Sequence, residues 1–194
     1  MRLQTGRVRY VDPADDVEPA VSQTFEEIRQ VRGDVINLFR VVANCPPALR
    51  PFFALSRFVR DESSLAARLR EIAILVTAVT FGVTYQITRH TVAARQAGLT
   101  DREISALKAG DWEGFAAAEK AVISYASEVA VRRDVAQETF DVLQAHFSEA
   151  QIVELAIIVA WYHLVAAIVQ PLRVDLEPEL RADLASEGGA SAHG

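Results

Sequence analysis

Glu71 and His90 are the two residues whose surroundings most call for chemistry. Glu71 sits amid Leu69, Ile72, Ala73 and Ile74, and His90 closes a polar patch that follows Gly82. A buried acid or imidazole is costly unless paired, so either residue inside an apolar helix marks a place where proton transfer or an ion pair is to be sought. Two readings of Glu71 stand. It is a carboxylate that relays a proton or polarises His90, or it is half of a structural ion pair with Arg68, Arg70 or another arginine. Adjacent side chains diverge on a helix, which argues against Arg70. His90 is likewise either an acid/base group or a hydrogen-bonded core residue.

Gln86 and His90 are four residues apart and share a helix face. Thr84 and Tyr85 open the same helix. Together they would line a pocket with a titratable base, an amide and a phenol. A neutral amide exchanges no proton at neutral pH, so Gln86 binds or orients and is no general base. Arg89 is a candidate for a substrate carboxylate. His163, beside Trp161 and Tyr162, either faces the same pocket or hydrogen-bonds inside a subunit interface. Glu71, His90 and His163 are metal-ligand types, but no His-Glu-x-x-His or close-spaced pair supports a metal site. His146 and His193 read as surface and tail. Gly6, Gly33, Gly82 and Gly98 make no phosphate loop. Phe39, Phe52, Phe53, Phe58 and Phe81 serve the core or line an apolar cavity.

The elements that must position these residues are helices. Val21, Phe25, Ile28 and Val31 stripe a helix over 20–32 that Gly33 ends. A short helix follows over 35–43, and Pro47 suits the first turn of another running to about Arg60. Leu65, Leu69, Ile72, Leu75, Val76 and Val79 stripe a helix to Phe81, with Gly82 as its cap. A helix over 84–97 closes at Gly98. Thr100 with Glu103, Asp134 with Gln137 and Ser148 with Gln151 have helix-start spacing. Residues 7–11 read as an extended arm, and the chain after Pro171 as irregular. The expected class is all-α, a bundle of roughly eight helices. Its expected division is an arm and helix over 1–34, a helical domain over 35–178, and a disordered tail over 179–194.

Composition sets the remaining bounds. A chain of 194 residues, half of them hydrophobic, can bury one sizeable core. The net charge of −6 argues against nucleic acid as a partner. All but two of the 20 basic residues are arginine, the exceptions being Lys108 and Lys120. The single cysteine, Cys45, allows no intrachain disulfide and no Cys-x-x-Cys site, and it fits a reducing cytoplasm. The N-terminus lacks the apolar core of a signal peptide. Ile152 to Val169 approaches the length of a membrane span, but Glu154, His163 and Pro171 make it a buried core helix instead.

The stretch from Glu71 to Leu99 resembles the carboxymuconolactone decarboxylase and alkylhydroperoxidase D-like family. That family reads Glu, then Gly-Cys-x-x-Cys or Gly-Cys-Glu-Tyr-Glu-Trp, then x-x-His and Ala-Gly-Leu. Asn37 to Leu49 resembles its Asn-x-Phe-Arg-x-x-Ala-x-x-Pro-x-x-Leu entry segment, Arg70-Glu71-Ile-Ala-Ile-Leu75 its Arg-Glu-x-x-Ile-Leu helix, and Val153 to Val165 its closing helix, where Asn is common at the place of His163. The resemblance covers about residues 35 to 178. Val83, Thr84, Gln86 and Ile87 depart from it, replacing the first Cys, the Glu, the second Cys or Glu, and the Trp. Peroxide chemistry needs an attacking thiolate and a resolving thiol, so it is not carried over.

What the resemblance implies is an enzyme without metal or organic cofactor that transfers protons on a small organic acid, lactone or polyketide-like molecule. His90 would be its acid/base and Glu71 the partner of His90. Gln86, Thr84 and Tyr85 would position a carbonyl or enolate oxygen. The family is generally oligomeric, so a homo-oligomer (trimer, dimer or hexamer) is expected, with no membrane partner. The other readings are a non-catalytic binding or assembly protein on the same scaffold, and a residual peroxidase using Cys45.

Overall fold

The computed structural model describes residues 6–181. Among these it has nine α-helices, one π-helical turn and no strand. The chain forms two compact units, one from the segments up to Phe58 and from Ile168 onward, the other from Val59 to Ala167. The positions 182–194 of the expected tail, His193 among them, lie outside the described residues.

The first unit holds α1 (Pro19–Arg32), α2 (Asn37–Val42) and α3 (Pro46–Arg57). Val21, Phe25 and Ile28 of α1 are buried with Phe39, Leu49 and Phe53 in one core, while Val31 faces solvent. Phe39 meets Phe53 edge-on, with centroids 5.7 Å apart. The guanidinium of Arg32 lies 5.6 Å from the Phe39 ring and donates to Ser56 Oγ, closing the cluster with a cation–π contact. The arm and the C-terminal segment are tied together. Tyr10 Oη donates to Asp175 Oδ2 at 2.9 Å, and Asp175 N–H donates back to Tyr10 Oη at 2.7 Å. Burial first, and then the hydrogen bond and charge of the Asp175 carboxylate, push the Tyr10 phenol up to about 12, against the Asp175 N–H, which lowers it. The chain after Pro171 is irregular through residue 177, as expected, but held by these bonds, and residues 178–181 turn helical.

The second unit holds a π-helical turn (Phe58–Glu62), α4 (Ala67–Phe81), α5 (Thr84–Gln96), α6 (Asp101–Ala109), α7 (Ala117–Arg132), α8 (Gln137–His146) and most of α9 (Glu149–Val169). In α4 every residue from Glu71 to Ala78 is buried, so it has no solvated face and is the central helix of this unit. A stripe at helical spacing therefore understates it. α5, α6 and α7 all pack against it. Gly82 turns the chain from α4 into α5 with φ 65° and ψ 33°, a left-handed conformation that glycine adopts without a Cβ penalty. Val83 N–H returns to the Ala78 carbonyl at 3.0 Å, closing the Schellman turn that makes α4 and α5 a hairpin.

Two of the three expected helix starts form as capping boxes. Thr100 and Glu103 cap each other's backbone N–H at α6, and Ser148 and Gln151 do so at α9. The third does not. Asp134 accepts only from the next N–H, of Val135, and α8 begins at Gln137 itself. Glu128 of α7 takes over that start, accepting from Ala136 N–H at 2.7 Å and from the Thr139 hydroxyl. A tertiary carboxylate has displaced the local cap. Glu154 of α9 works the same way on the loop before α4, its Oε2 accepting from Ser63 Oγ and from the N–H groups of Ser64 and Leu65.

Arg68 opens α4 and joins three elements. Its Nε donates to Glu119 at 2.6 Å, one Nη to the Gly98 carbonyl at 2.9 Å, and the other Nη to Glu103. Arg68, and then the Thr100 N–H and hydroxyl, hold the Glu103 carboxyl down to about 2 from its ordinary 4.5. The folded value lies below the unfolded one, so the stabilisation is complete above pH 4.5 and is lost as pH falls toward 2. Arg68→Met is therefore expected to flatten the acid-side fall in stability, read as the urea midpoint from about pH 5 to about pH 3. An unchanged slope would contradict this assignment.

Candidate active site

Glu71 and His90 meet. The α4–α5 hairpin brings His90 Nδ1 to 2.7 Å from Glu71 Oε2, with both side chains at least nine-tenths buried. Burial acts to raise the Glu71 pKa, but the charge and hydrogen bond of His90, and the charges of Arg70 and Arg60, outweigh it and hold the carboxyl below the usual range. An ionised carboxylate only accepts, so Nδ1 carries the proton of this bond. That sets the tautomer and leaves Nε2 as the ring nitrogen that gains or loses a proton.

The ion-pair alternative for Glu71 is answered in part. Arg68 is committed to Glu103 and Glu119. Arg70, adjacent in sequence, does approach: its Nε lies 3.9 Å from Glu71 Oε1, although helical neighbours diverge. This is a charge contact and no hydrogen bond, because Arg70 Nε is buried without a hydrogen-bond partner.

Gln86 is 1% exposed and lies one helical turn before His90 on the same face of α5. Its Nε2 donates to the Tyr162 carbonyl at 2.9 Å, and its Oε1 is buried without a partner. The amide orientation follows, since the reverse would set two oxygens together. Gln86 therefore anchors α5 to α9 and presents an acceptor, where sequence spacing suggested a donor. The Tyr162 ring meets the His90 imidazole edge-on, with centroids 4.7 Å apart. Tyr162 belongs to this site, and nothing in its local sequence announces it, because only the packing of α9 beside α5 brings it there.

The remaining candidates fall elsewhere. Thr84 is exposed on the first turn of α5, and two residues before Gln86 puts it on the opposite side of the helix. Tyr85 is buried, and the Arg89 guanidinium lies 5.9 Å from its ring, so these two share a neighbouring face. His163 packs edge-on against Phe81 at 4.6 Å, and its Nδ1 donates to the Val159 carbonyl at 2.7 Å. It does not join Glu71 and His90. Among the described residues no group of three His, Cys, Asp or Glu side chains could hold a metal ion. Cys45 is exposed at the start of α3.

The site thus combines a tautomer-locked imidazole, an ionised carboxylate, an unfilled amide acceptor and an arginine whose Nε–H is unpaired. This is the equipment of general acid–base catalysis.

Residues 46–128 match the model of the carboxymuconolactone decarboxylase family. No curated protein matches the chain. Several solved structures share the fold. A peroxidase-related protein of Ralstonia eutropha JMP134 with an alkylhydroperoxidase AhpD core superposes with a TM-score of 0.79 at 18% identity, covering 92% of this chain and 96% of its own. A peroxidase-related protein of Silicibacter sp. TM1040 gives 0.79 at 16%, covering 93% and 96%. The debrominase Bmp8, in complex with 2,3,4-tribromopyrrole, gives 0.77 at 18%, covering 92% and 96%. At these identities the likeness establishes the fold alone.

Proposed function

We propose that this chain, whose residues 46–128 match the carboxymuconolactone decarboxylase family model, is a cofactor-independent enzyme that moves protons on a small organic acid, lactone or polyketide-like substrate. The observation that carries this reading is the 2.7 Å bond between His90 Nδ1 and an ionised Glu71. With Nδ1–H held by the carboxylate, neutral Nε2 takes a proton from a carbon next to a carbonyl, leaving an enolate and an imidazolium. The imidazolium returns that proton at another carbon, which is isomerisation. Where CO₂ departs instead, the electrons of the broken C–C bond pass into the enolate, and His90, entering that cycle as an imidazolium protonated from solvent, gives its Nε2 proton to the carbon left behind and is reprotonated by water. Glu71 stabilises the imidazolium through both steps. The burial of the pair lowers the local dielectric and strengthens that effect. The tribromopyrrole held by Bmp8 on the same fold is a small cyclic ligand, which is in keeping with a substrate of that size.

The test is solvent exchange. A panel of cyclic keto acids and lactones is incubated with the protein in D₂O, and deuterium entry next to the carbonyl is followed by NMR. Exchange on at least one compound, above the protein-free rate, is expected. No exchange across the panel would put the non-catalytic binding or assembly protein ahead.

The chain has one cysteine, exposed and with no second thiol to resolve it. Cys45→Ser is therefore expected to leave the native activity unchanged, and peroxide consumption to stay at the rate of a free thiol. Cys45-dependent peroxide turnover well above that rate would restore the peroxidase reading.

We also propose a homo-oligomer: a trimer, dimer or hexamer. α9 is long and apolar enough to cross a membrane, and half of that window is packed inside the protein. Its other side exposes Val153, Ala160, Leu164 and Ala167, spaced as a continuous apolar seam. Such seams are covered by another subunit in symmetric assemblies. Light scattering should give a mass above that of one chain, and Leu164→Asp should lower it. A stable monomer at micromolar concentration would refute this.

A further inference from the structure

We propose that Tyr162 is the positioning residue of this site: its ring fixes the plane of the His90 imidazole, and its main-chain carbonyl separately fixes the Gln86 amide. This rests on the proton-transfer reading of the same site and names what aims the base.

The bond to Glu71 does not by itself aim His90. It holds Nδ1 at 2.7 Å from Oε2 and sets the tautomer. The imidazole can still turn about the Nδ1–H axis, which keeps the hydrogen bond and swings the Nε2 lone pair. Proton transfer tolerates little of this, since reacting groups must be held to within about 10–20° of the productive geometry. A second contact has to stop the turn. The Tyr162 ring is placed to do so, with its centroid 4.7 Å from that of the imidazole and the two planes at 87°. This is the edge-on arrangement of paired aromatic rings. A turned imidazole either loses that contact or collides with the ring.

Tyr162 can act as a stop because it is itself fixed. It is buried, and it lies within the long helix α9. About two turns earlier on that helix, the Glu154 carboxylate accepts from Ser63, Ser64 and Leu65 in the loop before α4. The helix that carries Tyr162 is thus tied to the start of the helix that carries Glu71. His90 is held between a hydrogen bond from one and a ring from the other. Tyr162 does its second task with a different atom. Its carbonyl accepts from Gln86 Nε2 at 2.9 Å, a main-chain bond open to any residue at position 162. The ring therefore acts on the group that moves the proton, and the carbonyl on the amide that orients the substrate.

That separation supplies the test. Tyr162→Phe keeps the ring. Tyr162→Leu and Tyr162→Met keep an apolar side chain and the carbonyl but remove the ring. Circular dichroism shows which of these fold, and either ringless variant suffices. Tyr162→Phe should keep the wild-type kcat and KM for deuterium exchange. The ringless variants should lose roughly 10–100-fold in kcat, the cost of a misaimed group, with KM unchanged. In two-bond proton–nitrogen NMR spectra of the ligand-free protein, His90 should keep its Nδ1–H tautomer throughout. Its peaks should be sharp in the wild type and Tyr162→Phe and broadened in the ringless variants, while those of His146 stay the same. Sharp His90 peaks and wild-type kcat without the ring would overturn the proposal. So would an equal loss in Tyr162→Phe, which would assign the effect to the hydroxyl, or a rise in KM matching the fall in kcat, which would mean a general loosening of the site. The NMR readout needs no substrate. Ring-dependent broadening without deuterium exchange on any compound would therefore sink the proton-transfer reading alone, and exchange that ignores the ring would sink this one.

Discussion

His90→Ala is expected to lower turnover on the substrate found by solvent exchange by about 10²–10⁴-fold, the usual contribution of a positioned acid or base. His90→Ala also leaves the buried Glu71 carboxylate without its hydrogen-bond partner, so turnover is compared only once circular dichroism shows the variant folded. Glu71→Gln should cost less. An amide oxygen can still accept from Nδ1–H and keep the tautomer, but it does not stabilise the imidazolium that forms when Nε2 takes a proton. Gln86→Ala should act mainly on KM, because in the proposed mechanism Oε1 orients the substrate and moves no proton. The measurement is kcat and KM for each variant, with circular dichroism as the check on folding. Full activity in His90→Ala would remove this histidine from the mechanism and the proton-transfer reading with it.

The same pair should dominate a stability experiment that needs no substrate. His90→Leu strands an ionised carboxylate in the core without its hydrogen-bond partner, with only the charges of Arg70 and Arg60 to offset it, and breaking a buried pair this way costs roughly 3–5 kcal/mol. Replacing both residues, Glu71→Leu with His90→Leu, removes the stranded charge together with its partner and should recover most of that loss. The pH dependence follows from the lowered Glu71 pKa. The carboxylate's contribution is complete above its ordinary 4.5 and is lost as pH falls through the depressed folded value. Glu71→Gln should therefore lose stability less steeply in acid than the wild type. The measurement is the urea midpoint of each variant at neutral and acid pH. A double variant no more stable than His90→Leu would show that burial of the charge is not what the single substitution exposes.

Much of the helical frame could be read along the chain. Its signals are local: Gly82 at a left-handed turn, Thr100 with Glu103 and Ser148 with Gln151 closing capping boxes, and Pro47 in a first turn. Each acts over a few residues, so spacing suffices to see it. The convergence of Glu71 and His90 was legible for the same reason, because one glycine turn separates their helices. Where two distant segments compete for one group, the local signal failed. Asp134 lost its helix start to Glu128, and Gln86 lost its donor to the carbonyl of Tyr162, a residue 76 positions away. Which helices enclose the buried run from Glu71 to Ala78 was likewise hidden, since that is set by the packing of α5, α6 and α7 and not by the apolar residues of α4 itself. Tertiary packing alone decided that Arg68 serves Glu103 and Glu119, that Arg70 is left beside Glu71 with its Nε–H unmet, and that His163 turns to Phe81 instead of His90. Sequence thus determined which residues could do chemistry, because residue type sets charge, proton affinity and hydrogen-bonding capacity. Only the folded chain decided which of them meet, because contact between helices depends on how three-dimensional surfaces pack and not on spacing within one helix.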